Sequence, residues 1–150
     1  MFRGAAKVTI DDKGRVVIPA RYRSELAGPA AGRVFMTADR DECLLIYAAP
    51  EWERIEEQLN SAPNVLPHVR RTQRMMLAHA EELVLDSHGR LTVTPEHREF
   101  AGLSRAAWLV GVGKHLELWD EARWKMQREA WTKGEQGATE LAAVLGTLSL

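Results

Sequence analysis

A chain of 150 residues, 45% hydrophobic and 27% charged, fits an ordinary globular protein of one domain or of two small intertwined halves. No apolar run approaches the ~20 residues that span a bilayer. The opening MFRGAAKVTIDD lacks a secretion-signal pattern, and a single cysteine, Cys43, excludes an intramolecular disulfide and suits a reducing cytoplasm. The net charge of −1 argues against a generic polyanion binder. Residues 1–23 nevertheless hold six Lys and Arg against Asp11 and Asp12, a net of +4 that leaves −5 on the rest, so a local basic surface is expected.

In chain order, β-branched residues predict strands over Ala5–Ile10 and Arg15–Ile18 around the turn DDKGR, as a β-hairpin or a crossing strand pair. Pro19 opens a short helix over Ala20–Ala27 that Gly28 stops. GPAAG (28–32) is a loop, and Val34–Thr37 and Cys43–Tyr47 are strands around the turn DRDE. Pro50 opens a helix with Trp52, Ile55 and Leu59 on one face, interrupted by SAPNVLP. Val69–Ala80 follows as a helix with Val69, Gln73, Met76 and Ala80 on one side. Leu83–Leu85 and Leu91–Thr94 flank a second turn, DSHGR. Trp108–Val112 and Leu116–Trp119 pair, and Glu121–Lys133 is helical. The tail LAAVLGTLSL puts Leu141, Val144, Leu145 and Leu148 on one helical face, suited to assembly or to fraying.

Two copies of one unit account for this order. DDKGRVVIPARYRSELAG (11–28) lies on DSHGRLTVTPEHREFAG (86–102), with Asp11, Gly14, Arg15 and Arg23 meeting Asp86, Gly89, Arg90 and Arg98 at a constant offset of 75. CLLIYAAPEWERIEEQL (43–59) lies on HLELWDEARWKMQREAW (115–131). Two copies are too few for a solenoid but enough for a pair related by a pseudo-two-fold axis, which imitates a dimer within one chain. The expected organisation is a first repeat over 1–62, a connecting helix over 63–81, a second repeat over 82–133 and a tail over 134–150.

The repeated D-x-x-G-R turn is the leading candidate site. Structurally, Gly takes a left-handed conformation and Asp caps its own turn and pairs with Arg. Functionally, Lys13 and Arg15 project beside Arg3 and Lys7, and Arg can meet guanine or phosphate with two parallel hydrogen bonds. The two roles are compatible. Arg70, Arg71 and Arg74 read as a solvated helix face, with anion binding or an intersubunit pair to Glu51, Glu53, Glu56 and Glu57 as alternatives. His68, His79, His88, His97 and His115 have none of the close spacings a zinc site needs. GVGK (111–114) lacks both the early Gly and the following Ser or Thr of a phosphate loop. Cys43 is a buried small hydrophobe, and Asp11 and Asp12 point to opposite faces of a strand. No catalytic constellation, metal site or cofactor site is found. The tryptophans are expected in the core or at an interface, and Trp52 and Trp124, as repeat equivalents, in a shared packing role rather than in base stacking.

MFRGAAKVTIDDKGRVVIPARYR, RRTQRMMLAHAEELVLDSHGRL and VGVGKHLELWDEARW together resemble the MraZ family, over about residues 1–132. The resemblance implies an α+β fold of two AbrB-like swapped-hairpin repeats in one chain, with flanking helices. It further implies a cytoplasmic, nucleoid-associated transcription regulator, commonly a repressor, of the division and cell-wall gene cluster. Such a regulator binds short G-rich direct repeats of double-stranded DNA as a ring-shaped homo-oligomer, an octamer or larger. The implied binding residues are Lys13, Gly14 and Arg15 in the first turn and His88, Gly89 and Arg90 in the second. Arg15 is expected on base edges, Lys13 and Arg3 on phosphates, and Asp11 and Asp86 as turn-shaping residues. Because His is largely neutral at pH 7, His88 in place of Lys13 predicts a weaker second turn. The alternative is a non-catalytic protein-interaction scaffold in which the turns are purely structural.

Overall fold

The computed structural model describes residues 1–28 and 31–134. The predicted tail helix lies outside them. The first repeat contributes β1 (Phe2–Thr9), β2 (Arg15–Val17), α1 (Ala20–Ala27), β3 (Arg33–Ala38), β4 (Leu44–Ala48) and α2 (Ala49–Ser61). α3 (Pro67–Ala78) follows. The second repeat contributes β5 (Glu81–Val84), β6 (Arg90–Thr92), α4 (Pro95–Ala101), β7 (Ala106–Gly113), β8 (His115–Asp120) and α5 (Glu121–Lys133). The helix starts follow local chemistry. Pro50, Pro67 and Pro95 stand in the first turns of their helices, and the Thr94 and Asp120 side chains accept from the amides of His97 and Arg123.

The strands form an antiparallel six-stranded sheet, β1-β7-β8-β4-β3-β5, and a two-stranded ribbon, β2-β6. The order reads the same from both ends once each strand is exchanged for its repeat equivalent. At the centre Leu44 faces Leu118, Leu45 faces Glu117 and Ile46 faces Leu116, so the pseudo-two-fold axis passes at Leu45–Glu117. The outer strands are exchanged: β1 pairs with β7 of the second repeat, and β5 with β3 of the first. β1 and β2 therefore do not form the simple hairpin that their turn would allow. A single bridge, Ile10 to Val16, joins them, whereas β1 runs in register with β7 from Phe2–Gly113 to Thr9–Ala106. The crossing pair prevails because it satisfies a full ladder of backbone groups where the hairpin would satisfy a fraction.

Both faces of the sheet are covered, which explains why β4 is buried at Leu44, Leu45, Ile46 and Tyr47 in succession. One face, with Val34, Met36, Leu44, Ile46, Leu109, Leu116 and Leu118, packs on Val16 and Leu91 of the ribbon and on Tyr22, Leu26 and Ala101 of α1 and α4. The other carries Leu45, Tyr47 and Trp119 against Trp52, Ile55 and Leu59 of α2, Met76 and Leu77 of α3 and Trp124 of α5. Trp52 and Trp124 thus share a packing role, as their equivalence predicts. Cys43 is fully buried just before β4, and burial with nearby Glu117 pushes its thiol well above the usual range.

The helix packing is also duplicated. Tyr22 Oη on α1 donates to the carbonyls of Gly4 (2.7 Å) and Arg3 (3.0 Å). His97 Nε2 on α4, at the equivalent position, lies 2.6 Å from the carbonyl of His79. Each helix so holds the backbone at the start of its own repeat's first strand.

Candidate nucleic-acid interface

The two D-x-x-G-R turns superpose bond for bond. Asp11 Oδ1 accepts from the amides of Lys13 (3.0 Å) and Arg15 (2.8 Å), and its Oδ2 accepts from Arg15 Nε at 2.7 Å. Asp86 does the same with the amides of His88 and Arg90 (2.9 Å each) and with Arg90 Nε at 2.7 Å. Gly14 N donates to Asp11 O and Gly89 N to Asp86 O, closing each turn. The glycines take φ of +83° and +72°, where a side chain is strained. Amide donation from Arg15 first, then its guanidinium and the amide of Lys13, holds the Asp11 carboxyl below the usual range. The matching bonds, led by the amide of Arg90, bring Asp86 down to about 2.

The ribbon joins the turns into one surface. Val16 and Leu91 are buried opposite each other, so Arg15, Val17, Arg90 and Thr92 share the outward face. Arg15 faces Thr92 and Arg90 faces Val17. The two arginines are consequently diagonal neighbours, about 7–8 Å apart at the backbone. Beyond the ribbon's ends, Val93 N donates to Gly14 O (2.7 Å) and Ile18 N to Gly89 O (2.9 Å), so each turn is tied to the opposite repeat. Lys13 and His88 are exposed at the turn tips.

Nε is committed to aspartate in both arginines, and the Nη1/Nη2 end of each guanidinium has no hydrogen-bond partner among the described residues. This orientation removes rotamer freedom before any ligand arrives. A planar pair of donors at a fixed angle suits a guanine edge or a phosphate.

Arg3 lies elsewhere. β1 carries it opposite Val112, roughly 20 Å along the strand from Thr9. There it lines a cleft with Met1, Arg21, Tyr22 and Glu25. Lys7 is bound to Glu121 at 3.2 Å. The basic cluster expected from the first 23 residues is therefore divided. Arg70 donates to the carbonyls of Asn64 and Val65 and so secures the loop before α3. A cavity of about 460 Å³ lies between the β3–β4 turn and α3, lined by Asp39, Arg40, Arg71, Thr72, Met75 and Met76, and it touches neither D-x-x-G-R turn. Among the described residues no three His, Cys, Asp or Glu stand close enough to hold a metal ion, and no helix is long and apolar enough to cross a membrane.

Two residues of the site, Arg23 and Arg98, escape a reading based on turns alone. Each lies against the glycine of the opposite repeat's turn. Their signal in the sequence is the constant offset of 75 that relates them.

A family model described as "MraZ protein, putative antitoxin-like" matches residues 1–75 and again 76–142. Three similar proteins each bear the name "Transcriptional regulator MraZ". The protein of Thioalkalivibrio sulfidiphilus is 49% identical over 150 residues, all of both chains. That of Nitrosomonas europaea is 42% identical over 137 residues, 91% of this chain and 93% of the relative. That of Coxiella burnetii is 44% identical over 152 residues, all of both chains. The two matched repeats, the exchanged outer strands and full-length identity at this level lead to one conclusion: this chain belongs to the MraZ family.

Proposed function

We propose that this chain is a DNA-binding transcription regulator, not an enzyme, that contacts duplex DNA through the outward face of the β2–β6 ribbon and its two flanking turns. The observation that carries the reading is the pair of arginines, each oriented by its own aspartate, on one exposed face. The names of the relatives support the regulatory role. The finer reading is a repressor of the division and cell-wall gene cluster that recognises short G-rich direct repeats as a ring-shaped homo-oligomer, associated with the nucleoid in the cytoplasm. Its support is the family resemblance and the charge: a chain of net −1 offers few cations per copy, so tight binding calls for several copies on one DNA.

Within the face, Arg15 reads a base edge and Lys13 meets a phosphate. Arg90 and His88 form the weaker half, because His88 adds little charge at neutral pH. Arg3, at the far end of β1, contributes at most a flanking phosphate contact.

A gel shift with G-rich repeat DNA and a scrambled duplex, over a salt series, tests this. Arg15→Ala should lose about 1–3 kcal/mol per site on the repeat DNA and relax discrimination. Arg90→Ala should lose less, and Lys13→Ala should weaken both duplexes while lowering the salt slope by about 1. Undiminished, salt-insensitive behaviour of Arg15→Ala would favour a protein-interaction scaffold with purely structural turns.

A further inference from the structure

We infer that Arg23 and Arg98 are positioning residues that act across the repeat boundary: Arg23 sets the second turn, and Arg98 the first. The inference rests on the reading that these turns contact DNA. The geometry is reciprocal. A Cβ built at Gly89 would overlap Arg23 Nε and lie 2.5 Å from its Cζ and 2.9 Å from its Nη2. A Cβ built at Gly14 would lie 3.1 Å from Arg98 Cζ and Nε and 2.7 Å from Val93 O. Each turn glycine therefore rests on a guanidinium from the other repeat, and both glycines are buried although the turns around them are exposed. Positive φ alone would call for glycine at these positions, but it would not call for an arginine beneath them.

The arginines come from equivalent places, α1 and α4, and are supported differently. Arg23 donates from Nη2 to Ile18 O at 2.8 Å and from Nε at 3.3 Å, while Ile18 N holds Gly89 O. One residue, Ile18, thus ties both the guanidinium and the turn it supports. Arg98 Nε is buried with no hydrogen-bond partner among the described residues, so Arg98 is held chiefly by packing under Gly14. A flat guanidinium can lie against a glycine peptide where a lysine ammonium cannot, and it adds fixed positive charge beneath the DNA-facing surface. The turn with the stronger reader, Lys13-Gly14-Arg15, is therefore set by a residue of the second repeat.

The experiment uses the full chain carrying Arg98→Met, Arg23→Met, and Arg98→Lys and Arg23→Lys as charge-retaining partners. Amide exchange by NMR is followed at Lys13, Arg15, His88 and Arg90 without DNA, with β4 and β8 amides as controls. Arg98→Met should speed exchange at Lys13 and Arg15 about tenfold or more and leave His88 and Arg90 within about twofold; Arg23→Met should do the reverse. The lysine variants should follow the methionine ones, because the plane and not the charge supports the glycine. Should a methionine variant not fold, the lysine variant at the same position decides. Loosening of a variant's own repeat's turn, or of both turns together with the control amides, would overturn the inference. In gel shifts on G-rich repeat DNA, Arg98→Met should weaken binding more than Arg23→Met. Crosswise exchange with unchanged DNA affinity would leave the positioning intact and reject DNA contact by the turns.

Discussion

The carboxylates of Asp11 and Asp86 each accept three hydrogen bonds within their own turn, two from amides and one from an arginine Nε. An ionised carboxylate is the acceptor-only form that can serve all three donors at once. The Asp86 carboxyl consequently titrates at about 2 in the folded chain, against an ordinary 3.8. Because the folded value is the lower one, this stabilisation is complete above about pH 4, and it disappears as pH falls toward 2. Between pH 5 and 8 the aspartate contributes no pH dependence. The thermal midpoint of the native chain should therefore fall more steeply from pH 4 to pH 2 than that of Asp86→Asn, while near neutrality the two differ by a constant amount. Parallel profiles for the two proteins across the acid range would contradict the assignment. The D-x-x-G-R spacing makes the cap and the Asp–Arg pair readable without a structure, since all three donors lie within four residues of the acid. Arg23 and Arg98 are harder to read, because their contacts cross between segments distant in sequence.

At the scale of elements, α2 shows how a helix is fixed by a few large side chains. Trp52 is fully buried, stacked on Phe35 with ring centroids 5.7 Å apart and tilted on Tyr47 at 5.8 Å. Trp52→Ala should cost about 3–5 kcal/mol, read as a lower denaturant midpoint, while Trp131→Ala, at a half-exposed ring that meets Trp119 and Trp124 only edge-on, should cost less. The limits of α1 and α5 match the sequence reading, Ala20–Ala27 and Glu121–Lys133, because Pro19, Gly28 and Asp120 mark chain stops and starts chemically. α3 begins at Pro67, two residues before the apolar periodicity starts at Val69, because a proline at a first-turn position loses no needed donor. The partner of β1 is a different matter. Alternation tells that Phe2 and Val8 face inward, but nothing in it distinguishes β2 from β7 as the ladder partner. The repeat left both partners open; the swapped hairpins that the family resemblance implies pointed to the exchange, and the register of β1 with β7 shows it.

For the whole molecule, the proposed ring makes affinity a matter of number. α3 has no buried residue, and Val65 and Leu66 just before it are exposed. Arg71 and Arg74 on α3 and Glu53 and Glu57 on α2 are exposed with opposite charge, which suits pairing between neighbouring copies. An assembled ring should bind DNA with several properly spaced repeats 10²–10⁴-fold more tightly than a single repeat, by effective concentration alone. Analytical ultracentrifugation combined with a titration checks this. A monomer that keeps full affinity for multi-repeat DNA would remove the need for assembly.

The exchange of outer strands also has a consequence during synthesis. Phe2 to Thr9 leave the ribosome roughly a hundred residues before their ladder partners, Gly113 to Ala106. At elongation rates of about 5–20 residues per second the first strand waits on the order of ten seconds for its partner. Throughout that interval Phe2 and Val8 have no sheet to bury against, and the closing loop spans most of the chain. A nascent chain in this state can also meet the equivalent strand of a neighbour on the same message. Encoding both halves in one polypeptide raises the local concentration of the correct partner, and so turns a search between molecules into one within a single chain.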